Sequence, residues 1–216
     1  LALADVDHKD SAKYLTELQQ QKFEDLLLEI KSFRKNICVH LANSAGTLKS
    51  ELFHYDMVRV GLALYGHTPN GSLGVGLGLQ PALTVKARVT LIRDVPSGTG
   101  VSYGHAFRTS RKSRLAVVAI GYADGVQRAL SGKISALIDG QLFPQVGSIA
   151  MDQLVLDITK RPDIKIGSIV TLLGTDGDIS ITPHEWSDLC GSIPWEILCS
   201  FRHRLPRLII EGSGKN

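Results

Sequence analysis

The sequence predicts an α/β segment over residues 1–78, followed by a mostly β domain over residues 79–216. Three observations support this division. Short apolar runs followed by polar loops, at 37–46 and 57–66, are typical of the βα units of a parallel sheet. The next stretch, 67–80, is rich in glycine and has the composition of a linker. Beyond it, alternating apolar and polar residues indicate half-buried strands.

Periodicity predicts the main elements in chain order. Apolar side chains recur at helical spacing over residues 11–34 and predict one amphipathic helix. Strict alternation over residues 82–92 predicts a strand that directs five side chains to one face: Leu83, Val85, Ala87, Val89 and Leu91. Further apolar runs predict strands at 115–123, 153–159 and 166–174.

Turn and capping residues place two more features in the second domain. Asp139 and Gly140 form the kind of dipeptide that turns a two-residue β-hairpin, here within residues 134–144. Thr182 and Glu185 have the spacing of a capping box, with proline between them and a glycine after residue 190. We therefore expect a single short helix at 182–190 in an otherwise all-β domain.

Composition excludes several classes of protein. The formal net charge is +3, and no run of five or more basic residues indicates a nucleic-acid partner. The three cysteines form no CxxC pair, which favours a reduced, cytoplasmic protein over a disulfide scaffold. The seven histidines lack metal-ligand spacing, so no metal site is predicted. No apolar run reaches about 18 residues and no signal peptide is recognisable, so no membrane association is expected.

Four residues are candidates for chemistry on their own pattern. Tyr103 stands among glycines, where it could act as an exposed acid or base or simply plug a turn. Ser44 follows an apolar run, and Gly61 would let backbone N–H groups approach an anion closely, although N-S-A-G is also an ordinary helix cap. Arg59 lies inside an apolar run, where it is either a sheet-edge charge or a buried cation that requires a partner.

Taken together, the motifs resemble the alanine racemase family, whose members use pyridoxal phosphate. The resemblance covers essentially the whole chain, from LALAD to RLPRLI. Six motifs carry it, in this order: H-x-x-N-S, V-R-x-G-x-x-x-Y-G, V-S-Y-G, G-Y-A-D-G, M-D-Q and R-x-P-R. The resemblance implies the C-terminal part of an eight-stranded α/β barrel followed by a β-domain. It also implies a homodimer whose active sites are shared across the interface, and the interconversion of L- and D-alanine that supplies D-alanine for peptidoglycan.

The resemblance also implies roles for individual residues. Tyr103 would move the α-proton on one face of the substrate, in the partner subunit's site. Six residues would bind the cofactor, with the phosphate on Ser44 and the ring nitrogen facing Arg59: His40, Asn43, Ser44, Arg59, Gly61 and Leu62. Met151, through its main chain, would bind the substrate carboxylate. Tyr122 and Asp152, together with Asp5 and Arg128, would line the access channel.

One expected group has no counterpart. The family binds its cofactor through a lysine after the first barrel strand, and no lysine of this chain matches that position. We therefore expect a C-terminal fragment that is inactive in isolation. Two other interpretations stay open: a related barrel enzyme that racemises another amino acid, such as serine, or decarboxylates a basic one, and a non-catalytic β-barrel module.

Overall fold

The computed structural model describes residues 12–69, 73 and 76–210, and it divides into two compact units, Leu1–Ala82 and Leu83–Asn216. The boundary lies at 82/83, whereas the sequence analysis placed it at 78/79. The helices are α1 Ala12–Phe33, α2 Ser44–Lys49, α3 Pro183–Cys190 and α4 Pro194–Ser200. The strands are β1 Val85–Val95, β2 Gly100–Val101, β3 Phe107–Arg108, β4 Ser113–Val118, β5 Ser135–Ile138, β6 Gln141–Pro144, β7 Leu154–Asp157, β8 Ile169–Asp176 and β9 Ile179–Ile181.

The long first helix is confirmed, since α1 spans 22 residues within the predicted range. The polar loop after the first apolar run forms α2, which begins at Ser44. Asn43 caps this helix, because its side-chain oxygen accepts a hydrogen bond from the Gly46 N–H at 3.0 Å. A small core of Leu41, Ala42 and Phe53 lies beneath the helix.

The two apolar runs of the first unit do not form regular strands, so this detail of the prediction is wrong. They run parallel but share one bridge, between His40 and Met57. The Val39 N–H donates to the Asp56 carboxylate at 2.8 Å rather than to a backbone carbonyl of the other segment. The Asp56 side chain thus occupies the place of a ladder acceptor, and the regular parallel pattern is interrupted there.

The second unit is an antiparallel sheet in the order β6-β5-β8-β1-β4-β7, with β9 paired to β8. A bridge between Gln145 and Leu156 joins the end of β6 to β7, so the sheet closes on itself as a barrel. Its core is a large cluster of mainly aliphatic side chains that also contains Phe143, Trp186 and Phe201. Because the barrel interior is filled by apolar side chains, polar side chains can come together only in the loops that connect the strands.

A bulge in β1 changes which side chains face the core. The predicted alternation holds from Val85 to Val89, which are both buried. The register then shifts between Val89 and Leu91, so that Leu91 is 40% exposed and Ile92 packs against the core instead. The prediction that Leu91 shares the buried face is therefore wrong, because one extra residue reverses the alternation.

Local signals predicted the hairpin and one helix correctly. Asp139 and Gly140 connect β5 to β6 with φ angles of 48° and 71°, as a type I′ turn requires. The α3 helix begins at the predicted capping box, in which Thr182 and Glu185 satisfy each other's backbone N–H groups. The expectation of a single helix is wrong, because α4 follows directly. Its N-cap is Ile193, which has no capping side chain, so Pro194 at the first helical position is the start signal that it carries.

Candidate functional site

In the first unit, Ser44 and the loop after Met57 form a compact hydrogen-bonded cradle, which we define as Ser44, Gly61, Leu62 and Ala63. The Ser44 side chain is buried, and its Oγ accepts hydrogen bonds from the Gly61 N–H at 3.0 Å and the Ala63 N–H at 3.3 Å. Leu62 begins a short 3₁₀ helix, Leu62–Tyr65, whose first N–H groups have no partner within the helix. Two backbone donors thus converge on the Ser44 hydroxyl.

The two glycines of this segment have different surroundings. A Cβ placed on Gly61 would meet nothing within 4 Å, so the space beside its backbone is open to a ligand. Gly66 ends the 3₁₀ helix in the left-handed region, with φ of 78°, and a Cβ there would lie 1.8 Å from the Gln80 carbonyl oxygen. In the V-R-x-G-x-x-x-Y-G motif, glycine therefore has a steric cause at Gly66, whereas Gly61 leaves open space.

Arg59 and His40 form a fixed pair beside the cradle. The Arg59 guanidinium donates to His40 Nδ1 at 2.5 Å and to the Leu41 carbonyl at 3.3 Å. Because Nδ1 is an acceptor here, the neutral His40 ring carries its proton on Nε2. Arg59 is thus the partly buried cation of the sequence analysis, with acceptors that orient it, and not a sheet-edge charge in water.

In the second unit, Tyr103 is presented to solvent by a strained turn. It begins a 3₁₀ turn, Tyr103–His105, and its side chain is 75% exposed. Ser102, Gly104 and His105 all have positive φ angles, of 60°, 72° and 49°. Non-glycine residues adopt such angles only where the surrounding structure imposes them, and such turns are frequent at functional sites.

The Tyr103 turn borders a cleft of about 390 Å³. Tyr103 and His105 line it together with Ala150 and Gln153. Ser148 also donates to the Tyr103 carbonyl at 3.4 Å. The tyrosine is therefore placed next to the segment that contains Met151 and Asp152.

The loop that carries Tyr122 is held tightly against the same segment. The Tyr122 N–H donates to the Ala150 carbonyl, and the Ala123 N–H to the Met151 carbonyl, both at 3.0 Å. A Cβ on Gly121 would lie only 2.2 Å from the Ala150 oxygen, so glycine is required for this approach. The Tyr122 and Met151 side chains are about half exposed. Ala150 lines the cleft, and the hydrogen bonds join the Tyr122 loop to it. We call Gly121–Ala123 with Ala150–Asp152 the cleft wall.

An arginine to which the sequence analysis gave no role ties this wall together. Arg204, from the R-x-P-R motif, contacts Asp124 Oδ1 through Nε at 3.1 Å and Asp152 Oδ1 through Nη2 at 2.5 Å. Asp124 is buried, and its other oxygen accepts from the Gly121 N–H at 2.9 Å. The motif was visible in the sequence, but this contact joins residues 52 positions apart and has no local signature.

The predicted site residues thus form two groups. The cradle group of the first unit contains His40, Asn43, Ser44, Arg59, Gly61 and Leu62. The second unit brings together Tyr103, Tyr122, Met151 and Asp152. Arg128 begins a separate 3₁₀ helix, Arg128–Leu130, and Asp5 lies outside the described residues.

Comparison with known proteins identifies the family of the chain. Residues 82–209 match the family profile "Alanine racemase, C-terminal domain", and residues 1–69 match "Alanine racemase, N-terminal domain". The chain belongs to the alanine racemase family. Within that family it is 64% identical over 210 residues to the alanine racemase of Prochlorococcus marinus and 49% identical over 209 residues to that of Synechocystis. These alignments cover 97% and 96% of the chain but 54% and 56% of the relatives, so the chain spans about half the length of the curated relatives it matches.

Solved structures of family members confirm the fold. The Bacillus anthracis alanine racemase with bound L-Ala-P superimposes with a TM-score of 0.88 at 34% identity, covering 98% of this chain and 54% of that one. The Bartonella henselae enzyme with covalently bound pyridoxal phosphate gives 0.82 at 34% identity, covering 97% and 55%. The predicted fold class, part of an α/β barrel followed by a mostly β domain, is therefore confirmed. No described helix is long and apolar enough to cross a membrane.

Proposed function

We propose that the protein containing this chain is a pyridoxal-phosphate-dependent alanine racemase, which interconverts L- and D-alanine and supplies D-alanine for peptidoglycan. Family membership and the relatives' names support the activity. The cofactor is supported by the pyridoxal phosphate bound covalently in the Bartonella henselae relative. The single observation that carries the proposal is the cradle beside Arg59, because a phosphorylated pyridine requires both a phosphate site and a partner for its ring.

The cradle fits a phosphate. Phosphate oxygens accept hydrogen bonds from hydroxyl and backbone N–H groups, which Ser44, Gly61 and Leu62 supply together. The open space beside Gly61 lets the anion approach the backbone closely. Asn43 holds the start of α2, and so keeps the Ser44 hydroxyl in position.

Arg59 and His40 fit the pyridine ring. Because its guanidinium is held by His40 and the Leu41 carbonyl, Arg59 can face a ring nitrogen without reorienting. Arg59, as a permanent cation, would keep that nitrogen unprotonated. Pyridoxal phosphate, when bound, would supply the electron withdrawal that acidifies the substrate α-proton. Arg59 would thereby moderate this withdrawal and favour rapid return of the proton over side reactions.

Tyr103 is the proposed acid and base on one face of the substrate. Racemisation requires a base on each face, because the proton must be delivered opposite to where it was removed. The Tyr103 phenol would remove or return the proton at the α-carbon. The second base would be the family's cofactor-binding lysine, which this chain does not contain. The Met151 main chain would bind the substrate carboxylate, and Tyr122 and Asp152 would narrow the approach to it.

The tyrosine is proposed to act in a homodimer. The cradle and the Tyr103 turn belong to different units of the chain. In the proposed dimer, Tyr103 of one protomer serves the cofactor site of its partner. We also infer a cytoplasmic location, which the three unpaired cysteines support.

The test is the racemase activity of the natural-length protein loaded with pyridoxal phosphate. Tyr103→Phe should slow racemisation by about 10²- to 10⁴-fold, the contribution of a positioned general acid or base, with cofactor binding retained. Tyr55→Phe is the matched control. It removes a phenol that donates to Glu24 at 3.1 Å, outside both site groups, and should leave the rate unchanged. Normal turnover by Tyr103→Phe in both directions would contradict the proposal.

A second candidate reaction uses the same site on another amino acid. Assaying kcat/KM over alanine, serine and basic amino acids, with decarboxylation followed in parallel, separates the two. The proposal predicts the highest kcat/KM for alanine. A higher value for any other amino acid would assign the second candidate.

A further inference from the structure

We propose that Arg204 is a positioning residue that fixes the cleft wall, and with it the substrate-carboxylate site at Met151. The inference rests on the proposed function and adds a residue to its site. Its basis is the pair of contacts from one guanidinium to two carboxylates on different segments: Asp124 of the Gly121 loop and Asp152 next to Met151.

The contacts of Asp124 make it the inner anchor of this arrangement. Its side chain is only 8% exposed, and it accepts both the Gly121 N–H at 2.9 Å and the Arg204 Nε at 3.1 Å. A buried carboxylate is costly unless it is paired. Removal of Arg204 therefore leaves Asp124 with a charge that only backbone N–H groups oppose. We expect the Asp124 carboxylate then to move towards solvent and to displace the Gly121 loop.

Asp152 is the outer anchor. It is 62% exposed, so water could solvate it equally well, and its ion pair alone has little energetic value. Its effect is geometric, because holding Asp152 restrains the adjoining Met151 backbone. The hydrogen bond with Asp152, more than the charge of Asp124, raises the pKa of Arg204, so the guanidinium stays charged at any physiological pH.

The two anchors converge on the same hydrogen bonds. The Gly121 loop meets the Met151 segment through the Tyr122 and Ala123 N–H groups. Arg204 contacts both parts of this junction: Asp124 of the Gly121 loop and Asp152 next to Met151. Loss of the guanidinium should therefore loosen these two amides and displace Met151. Tyr103, held by its own turn, should be left in place.

Amide hydrogen exchange tests the positioning step without any requirement for activity. In Arg204→Gln, which removes both ion pairs of this half-exposed guanidinium, the Tyr122 and Ala123 amides should exchange at least about fivefold faster. Amides of β8 in the barrel should be unchanged. Arg202→Gln is the matched control, because Arg202 is exposed and reaches only the Cys199 carbonyl, at 3.5 Å. Unchanged exchange at Tyr122 and Ala123 would overturn the inference.

Steady-state kinetics of the loaded natural-length protein test the second step. Arg204→Gln should raise the KM for alanine about fivefold and leave kcat within about twofold, because carboxylate binding is disturbed and proton transfer is not. Arg204→Lys keeps one ion pair and should recover part of the loss. A fall in kcat with KM unchanged would overturn the inference. If the unaltered protein does not racemise alanine, the proposed function fails, while the exchange measurement still decides the position of Arg204.

Discussion

Replacing Gly121 by alanine should destabilise the β-domain through a single steric contact. Gly121 has φ of −149°, an extended conformation that alanine adopts without strain. The added Cβ would nevertheless lie 2.2 Å from the Ala150 oxygen and 2.4 Å from the Met151 oxygen. Both are backbone atoms, so no rotamer change relieves the contact. The two segments must separate by about 1 Å to reach ordinary van der Waals distances.

That separation breaks the hydrogen bonds from Tyr122 to Ala150 and from Ala123 to Met151. At about 1 kcal/mol for each bond, plus about 1–3 kcal/mol for overpacking, the free energy of unfolding should fall by about 3–5 kcal/mol. Urea unfolding at 25 °C measures this loss. Gly61→Ala is the matched control, because its Cβ meets nothing within 4 Å, and it should change stability by less than about 0.5 kcal/mol. A loss below about 1 kcal/mol in Gly121→Ala would refute the steric argument.

Two further outcomes are expected. Ser44→Ala should weaken pyridoxal phosphate binding about tenfold, measured by equilibrium dialysis, because a phosphate donor is lost. Ser50→Ala removes a cap to the Leu52 N–H outside the cradle and should leave the affinity for pyridoxal phosphate unchanged. Equal affinity in the two variants would contradict the role of the cradle in phosphate binding. The Arg161 hydrogen bond lowers the pKa of Asp163 to about 2, so the stability from this pair is present above pH ~3.9 and is lost as the pH falls to about 2. An NMR titration of Asp163 should show this midpoint, and Arg161→Gln should return it to about 3.9; a midpoint near 3.9 in the unaltered protein would be inconsistent with the pair.

Features set by a few neighbouring residues could be predicted from the sequence. The Asp139-Gly140 turn depends on two residues that tolerate positive φ, and α3 depends on a capping box three residues long. Both signals lie within the element itself. The position of the hairpin turn was therefore predicted correctly. The boundaries of α1, predicted from the periodicity of its own apolar residues, were correct to within a residue.

Features set by distant partners could not be predicted. The bulge in β1 arises where the strand changes partner from β8 to β4, which the alternation of its own residues does not record. The parallel runs of the first unit look like strands by composition, yet Asp56 replaces a ladder acceptor. The α4 helix is short and has an apolar N-cap, so neither periodicity nor capping marks it.

The candidate site follows the same division. The sequence singled out Ser44, Gly61, Arg59 and Tyr103 from their local patterns, and the family resemblance gave them roles. The cradle itself joins residues 17 positions apart, and its hydrogen bonds became visible only in the structure. Arg204 belongs to the R-x-P-R motif. Its contacts with two carboxylates that are remote in sequence were indicated by neither pattern nor composition.

The proposed role of Tyr103 is to remove or return the α-proton on one face of alanine only. Its most direct test is exchange of the α-proton into D₂O, measured by NMR for each enantiomer with the loaded natural-length Tyr103→Phe protein. We expect one enantiomer still to exchange its α-proton, through the base on the other face, while exchange from the opposite enantiomer falls by about 10²- to 10⁴-fold. Exchange of both enantiomers at the unaltered rate, or an equal loss for both, would contradict it.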